Sequence, residues 1–328
     1  MKEQVHLRSR IFLLATASIL LFSRPVSAQT SVEESENYIR NGEYDRARLS
    51  LTSLVESDPT NARAQYWLGR LLLSMYNDPD RAAEHLRLAV ENDDENAEYH
   101  WMLGNVYGQQ AQEASIFSQM SLAGDVKEQF ERAVELDSND VRFRTSLMQF
   151  YVQAPGIVGG SIERAQIQAE AIHRIDPYEG HAARALIANA DDDLTLAEEE
   201  WKRAIEVDST RWTAFHRLGY LYLQLGHGEK SIPLFQKYVA LAPDDANSYD
   251  SLGDGFFATG QFDSALIQYR TSLSINPQFA VSAYNAGRCY EAKGMVQEAI
   301  EAYTYYLANA PDGPYAETAR EKIEELEP

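Results

Sequence analysis

The stretch WTAFHRLGYLYLQLGHGEKSIPLFQKYVALAPDD, residues 212–245, carries the pattern that decides the fold. Three of its positions, Gly219, Gly226 and Pro243, recur twice more, each time 34 residues further along the chain. Aromatic residues recur at the same step. Self-similarity at a fixed period is the mark of a repeat architecture, so the fold follows from what one period does.

Each recurring position has a role in a pair of antiparallel helices. Gly219 is predicted to let two helices approach closely, and the large side chains of Tyr222 and Phe235 fill the space between them. Gly226 ends the first helix in a left-handed turn. Pro243 follows the second helix, where no further helical hydrogen bond is needed. One period therefore predicts one helix hairpin.

The small, aromatic, alanine and proline positions together resemble the tetratricopeptide repeat (TPR). The resemblance implies an all-α fold, a right-handed α-solenoid of about eight TPR helix hairpins with a C-terminal capping helix over 314–328. Weaker copies of the pattern extend the array upstream, so that it covers 29–313. The repeats are predicted near 31–61, 62–96, 97–140, 141–179, 180–211, 212–245, 246–279 and 280–313.

The first 28 residues have the composition of a secretory signal peptide. A basic start precedes the apolar run Ile11–Phe22, and Val26 and Ala28 supply the small residues of a cleavage site. The expectation is an exported protein, periplasmic or extracellular, without a membrane span after cleavage. An uncleaved N-terminal anchor is the alternative.

Charge limits the classes of partner. The chain has 29 basic and 50 acidic residues, a formal net charge of −21. Phosphate backbones require a net basic face, so we expect no nucleic acid partner. The single cysteine, Cys289, leaves no internal disulfide, and its place inside a first helix predicts a buried structural thiol.

Two neighbouring repeats carry extra residues between their helices, over 108–125 and 154–161. In the second insertion, Pro155 is expected to stop a helix, Gly159 and Gly160 to permit positive φ or a close approach, and Ser161 to cap the next helix. We expect the two insertions to be neighbours in space, with Ile157 and Val158 docked on the apolar strip of the first. A binding edge is the alternative. The edge residues are Ile116, Phe117, Pro155, Gly156, Ile157, Val158, Gly159 and Gly160.

The run FYVQAPGIVGG, residues 150–160, also resembles a subgroup of bacterial exported tetratricopeptide proteins that carry an FYxxAPGxxGG insertion. This resemblance implies a fold and a compartment rather than a biochemical role.

The sequence offers no catalytic constellation. None of its seven histidines forms a metal-binding spacing, no nucleophile elbow occurs, and the run Asp191–Asp193 lacks the spacing of a calcium loop. We therefore predict no enzyme, no cofactor and no metal.

The concave face is the remaining candidate site. In this repeat, fixed positions of each first helix point into the concave face. Some of these positions hold arginines, whose guanidinium groups can bind the carboxylates of a ligand. A protein or an extended peptide, with acidic groups read by these arginines, is the expected partner. The ordinary alternative is a solvated, salt-bridged surface. The predicted groove residues are Arg63, Tyr66, Arg70, Trp101, Asn105, Arg142, Gln149, Arg184, His216, Tyr220, Asn247, Tyr284 and Arg288.

Two functions remain open at this point. The first is a non-enzymatic, exported scaffold that binds a protein or peptide through the groove. The second is a structural or assembly subunit of an envelope complex that uses the insertion edge, 108–125 and 154–161.

Overall fold

The computed structural model describes residues 31–327, and the predicted signal peptide lies outside them. Within that range the chain forms α-helices and no strand. In chain order the helices are α1 Val32–Arg40, α2 Tyr44–Ser57, α3 Ala62–Tyr76, α4 Pro79–Asn92, α5 Ala97–Glu113, α6 Ile116–Leu136, α7 Val141–Gln153, α8 Ile162–Ile175, α9 Pro177–Ala190, α10 Leu194–Val207, α11 Trp212–Gln224, α12 Gly228–Leu241, α13 Ala246–Ala258, α14 Phe262–Ile275, α15 Val281–Ala292, α16 Val296–Asn309 and α17 Ala316–Leu326.

The helices pack as successive pairs, α1 with α2 through α15 with α16, and each pair also contacts the next. Gly226, Gly260 and Gly294 end the first helices of three pairs with φ between 70° and 73°. This left-handed conformation is the one predicted, and glycine adopts it without the steric cost of a Cβ. The all-α solenoid is thereby confirmed. No helix in the described part is long and apolar enough to span a bilayer.

Close approach within a pair explains the second glycine column. A Cβ built on Gly253 would lie 2.4 Å from the ring of Tyr269, and one on Gly219 would lie 2.4 Å from Phe235. Both aromatic side chains are fully buried. The glycine therefore provides the space that the aromatic residue of the partner helix fills.

The first insertion is helical. The residues of 108–125 extend α5 to Glu113 and let α6 begin at Ile116, with only Ala114 and Ser115 between them. These two helices have 17 and 21 residues, whereas the other first and second helices have 9 to 15. The α5–α6 hairpin is therefore longer than its neighbours.

The second insertion is a compact turn between α7 and α8, with a 3-10 turn at Gly156–Val158. Gly159 has a φ of 104°, and a Cβ on Gly160 would lie 1.7 Å from the carbonyl oxygen of Ala154. One glycine thus supplies positive φ and the other a close backbone approach. Ser161 caps α8 by accepting a hydrogen bond from the backbone N–H of Arg164, as predicted.

One repeat boundary differs from the prediction. Helix α9 begins at Pro177, three residues before the repeat start predicted near 180, so Pro177 both follows α8 and opens α9. The cause is Asp176, which ends α8 and also caps α9 by accepting hydrogen bonds from the N–H groups of Tyr178 and Glu179. Proline is favourable at the first helical position, where its missing N–H is not needed.

Candidate functional site

The surface formed by the first helices, called the inner face below, carries two of the predicted arginines in ion pairs. Arg63 lies 2.6 Å from Glu33 and 2.6 Å from Glu36, both on α1. Arg142 lies 2.9 Å from Glu98 on α5 and 2.6 Å from Asp140. The hydrogen bonds to Asp140 and Glu98 hold the pKa of Arg142 above its usual value. Both guanidinium groups therefore have carboxylate partners within the chain.

Aromatic side chains lie beside these pairs on the inner face. Tyr66 is buried and donates to Glu98 over 3.3 Å, and Arg70 donates to the hydroxyl of Tyr66 over 3.4 Å. Trp101 is half-buried and donates from Nε1 to Ser146 Oγ over 2.9 Å. Their polar atoms are bonded within the chain, so these residues act first in joining neighbouring repeats.

Arg184 lies elsewhere. It pairs with Glu170 on α8 at 3.0 Å and stands 4.0 Å from Glu200 on α10. Both partners belong to second helices, so Arg184 faces the layer between α8 and α10 rather than joining Arg63 and Arg142.

In the later repeats, His216 and Asn247 meet across α11 and α13, with 3.4 Å between Asn247 Nδ2 and His216 Nε2. Burial, with a contribution from Arg217, lowers the pKa of His216 to about 4, so the imidazole is neutral at physiological pH. Tyr220 is half-buried and donates to Asp254 over 2.9 Å.

The last predicted groove residues lie under the C-terminal helix. Tyr284 is buried and stacks on Tyr315, with ring centroids 4.4 Å apart. Arg288 lies over Phe257, with the guanidinium carbon 4.3 Å from the ring centroid. The segment that leads into α17 therefore covers Tyr284.

A buried acid pair lies behind this part of the inner face. Asp250 is 4% exposed, and its Oδ1 accepts from Ser282 Oγ over 2.7 Å. Asp254 accepts from Tyr269 over 2.8 Å and from Tyr220. Burial, and then the negative charge of Asp254, raises the pKa of Asp250 to about 7. We therefore expect this pair to respond to pH.

A cavity lies between α5, α6 and α7, where the inner face meets the two insertions. It measures about 680 Å³. Two predicted groove residues, Asn105 and Gln149, and one predicted edge residue, Pro155, share it. We call it the amide-lined cavity. Its lining residues are Asn105, Gly108, Gln109, Ala111, Gln112, Gln119, Ala123, Val126, Phe130, Ser146, Gln149, Phe150, Gln153, Ala154 and Pro155.

The lining is uncharged and amphipathic. Val126, Phe130 and Phe150 are buried and form apolar wall, and every polar lining side chain is a hydroxyl or a carboxamide. The amides of Gln149 and Gln153 have no hydrogen-bond partner in the described part of the chain. A carboxamide both donates and accepts, which is what an extended peptide backbone requires.

Sequence reasoning missed most of these cavity residues. The glutamines of α5 and α6 lie in the run GQQAQEASIFSQM, residues 108–120. The abundance of amides in that insertion was the available signal. The lengths of α5 and α6 could not be predicted from the sequence. Because both helices are long, Gln109 and Gln112 line the same cavity as Gln153.

The predicted edge residues divide into two groups. Ile157 is 82% exposed, so the prediction that it docks on the first insertion is wrong. The 3-10 turn points it into solvent, while Val158 is half-buried, and a Cβ on Gly159 would meet the side chain of Lys127 on α6. Gly156 and Gly160 shape this turn, and Pro155 lines the cavity. The side chains of Ile116 and Phe117 lie outside the description.

No metal or catalytic grouping was predicted. Across residues 31–327, no three His, Cys, Asp or Glu side chains are placed to hold a metal ion. Cys289 is fully buried, and burial raises the pKa of its thiol to about 12. Asp193 caps α10 by accepting from the N–H of Leu196.

Comparison with known proteins identifies the repeats. Models of the tetratricopeptide repeat family match residues 38–105, 213–245 and 251–314. Among curated proteins, the chain is 24% identical to "Superkiller complex protein 3" of Mus musculus over 284 residues and of Homo sapiens over 291 residues. These alignments cover 84% and 86% of the chain but only 17% and 18% of those relatives. "Tetratricopeptide repeat protein 37" of Xenopus laevis is also 24% identical, over 280 residues.

The predicted compartment is wrong on this comparison. The named relatives are vertebrate proteins, two of them named for a complex, and none is named as an exported protein. No family model covers 154–161, so the insertion-based resemblance to bacterial exported proteins is not supported either.

A solved structure shares the fold. The chain superposes on "Crystal structure of APC/C hetero-tetramer Cut9-Hcn1" with a TM-score of 0.52 and 14% identity, over 86% of this chain and 52% of that one. At this identity the likeness concerns the fold alone. The repeat models, the helix pairs and their glycine columns agree: the chain is an all-α solenoid of tetratricopeptide repeats.

Proposed function

We propose that this chain is a non-catalytic scaffold that binds an extended, uncharged segment of a protein partner in the amide-lined cavity. Tetratricopeptide repeats mediate protein–protein interaction, and the proposal names where the segment sits. The observation that carries it is the cavity itself, about 680 Å³ with apolar walls and an amide rim. This volume lies in the range of ligand pockets, roughly 300–1,000 Å³.

The amides suit a peptide backbone. Asn105 donates to the carbonyl oxygen of Trp101 over 2.9 Å, and Gln119 donates to that of Ala114 over 3.0 Å. Their own side-chain carbonyl oxygens accept no hydrogen bond within the described residues, so they are available to peptide N–H groups. Each hydrogen bond between one of these amides and the peptide prevents a polar group from being buried without a partner, which would cost about 1–3 kcal/mol.

The charge of the partner segment follows from the same lining. A charged side chain in this cavity would lose water without gaining an opposite charge among the described lining residues. The ion pairs of the inner-face arginines argue against an acidic segment. A ligand carboxylate would have to displace Glu33 and Glu36 from Arg63. At Arg142 it would have to displace Glu98 and Asp140. We therefore favour a partner with small apolar and amide side chains.

A matched pair of glycine variants tests the site. Gly108 lines the cavity and Gly124 does not, and a Cβ built on either meets nothing within 4 Å. Both glycines lie inside helices, so Gly108→Phe and Gly124→Phe carry the same local cost. Short random peptides displayed on phage are selected on the parent chain, and their affinities for both variants are measured.

The expected result is a set of uncharged peptides that bind Gly108→Phe at least about tenfold more weakly, with affinity for Gly124→Phe unchanged. Their binding to the parent should be nearly independent of salt, because no ion pair forms. Selected peptides that bind both variants equally, or a selection dominated by acidic sequences, would overturn the proposal. Circular dichroism confirms that both variants keep the parent helicity.

A further inference from the structure

A second cavity, of about 390 Å³, lies between α8, α9 and α10, away from the amide-lined cavity. Its lining combines aliphatic side chains with a carboxylate rim, and we call it the acid-rimmed cavity. The lining residues are Glu163, Gln166, Ile167, Glu170, Arg184, Ile187, Ala188, Asp191, Asp193, Leu196 and Glu200.

The walls of this cavity leave aliphatic surface in water. Ile167 on α8 is 62% exposed and Leu196 on α10 is 40% exposed, whereas Ile187 and Ala188 at the base are buried. Covering exposed aliphatic surface stabilises a complex in proportion to the apolar area removed from water. The concave space between these walls therefore suits a large aliphatic side chain.

Charge identifies the partner. Five carboxylates and one guanidinium line the cavity. Arg184 is held by Glu170, while Glu200 accepts from Arg203 over 2.8 Å and lies 2.7 Å from His181. These contacts neutralise the base of the cavity and leave the rim negative. The exposed carboxylates of Glu163 and Asp191 have no basic partner within residues 31–327.

The acidity is local rather than a reflection of the net charge. The neighbouring cavity between α10, α11 and α12, about 450 Å³, is mostly apolar but carries Lys202 and Lys230 with only one carboxylate, Glu206. Lys202 pairs with Glu198 at 2.5 Å, which leaves Lys230 and Glu206 with nearly balanced charge. The rim therefore changes from negative to nearly neutral from one cavity to the next. A basic segment is therefore attracted to the cavity at α8 and α9 more strongly than to the one at α11 and α12.

We propose that the acid-rimmed cavity binds a basic segment of a second protein partner. One large aliphatic side chain of that segment enters between Ile167 and Leu196, and flanking lysines or arginines lie over Glu163 and Asp191. With the amide-lined cavity, this gives the scaffold two recognition surfaces of different chemistry, each testable without the other.

The probe is a fluorescein-labelled peptide in which two leucines stand between two pairs of arginines, followed by fluorescence anisotropy on the full chain. Ile167→Ser removes one wall. Its control is Ile267→Ser, because Ile267 is the sixth residue of α14 as Ile167 is the sixth of α8, is 60% exposed, and lines none of the cavities above. We expect Ile167→Ser to weaken binding about tenfold and Ile267→Ser to leave it unchanged.

Charge is tested in the same assay. The double variant Glu163→Lys, Asp191→Lys should abolish binding. The control Asp244→Lys, Asp312→Lys makes the same change in net charge at exposed sites away from the cavity, and should lower the affinity only slightly. A peptide with glutamates in place of the arginines should not bind, and added salt should weaken the arginine peptide.

Several results would overturn the proposal: no saturable binding, equal loss in both double variants, or no effect of Ile167→Ser. A second copy of the chain is the competing occupant. If sedimentation velocity shows a dimer that Ile167→Ser dissociates, the cavity is a self-association surface and the proposal is wrong.

Discussion

Replacement of Asp250 by asparagine should make the repeat stack more stable at alkaline pH. Asp250 is 4% exposed, and burial together with the charge of Asp254 raises its pKa to about 7 from an ordinary value of 3.8. The other ionisable groups near the pair are Tyr220, Tyr269, Arg288 and Cys289. Asparagine keeps the oxygen that accepts from Ser282 and removes the charge.

The sign follows from linkage. The folded chain holds the Asp250 proton more tightly than the unfolded chain does, so stability is highest below the unfolded pKa and falls as pH rises through the folded pKa. A tenfold difference in proton affinity between the folded and unfolded chains corresponds to about 1.4 kcal/mol, which sets a ceiling of about 4 kcal/mol on the effect. Because Asp254 is also buried, shares the Asn285 amide as a donor and adjusts its own protonation to the charge of Asp250, we expect a difference on the order of 2 kcal/mol.

The assay is urea unfolding of the parent and of Asp250→Asn, followed by circular dichroism at about pH 5 and about pH 8. The variant should unfold at higher urea than the parent at the alkaline pH, with a smaller difference at the acidic pH. Asp312→Asn is the control, because that side chain is exposed and has no basic partner within residues 31–327. Destabilisation of Asp250→Asn by the same amount at both pH values would refute the reasoning, because it would mean that the native carboxylate is charged and stabilised.

Three further predictions concern the helix pairs. Gly253→Ala should lower stability by about 2 kcal/mol in thermal unfolding, because its Cβ would lie 2.4 Å from Tyr269; an unchanged melting temperature contradicts the packing role. Ser161→Ala removes the hydrogen bond from the Arg164 N–H and should cost about 1 kcal/mol in urea unfolding, an effect that Ser161→Thr should not show. Cys289 should react with a disulfide reagent only after unfolding, because it is fully buried and its pKa is raised to about 12.

The repeat architecture could be predicted because each period is decided by contacts within one helix pair. Gly253 and Tyr269 stand 16 positions apart, and their roles follow from size alone. The turn glycines are equally local. The boundary at Pro177 was misplaced because one residue, Asp176, serves two helices, and a repeat template contains no such shared position.

The candidate site was harder to predict because it depends on which side chains contact each other across neighbouring repeats. The register placed Arg63 and Arg142 on the inner face, but not their pairing with Glu36 and Glu98, which lie 27 and 44 residues away. These ion pairs neutralise the two arginines that we had predicted to bind an acidic ligand. Similarly, the docking of Ile157 was inferred from hydrophobicity, while the 3-10 turn directs that side chain outward.

The central claim is that a partner segment lies in the amide-lined cavity, and site-specific photo-cross-linking tests it most directly. The photoreactive amino acid p-benzoylphenylalanine is placed at Gln153, the last residue of α7 in the cavity lining, or at Gln224, the last residue of α11. Both positions are exposed, and Gln224 lines none of the cavities described above. With a selected uncharged peptide, we predict a covalent adduct at position 153 and none at 224. Equal labelling at the two positions, or labelling at 224 alone, would contradict the account.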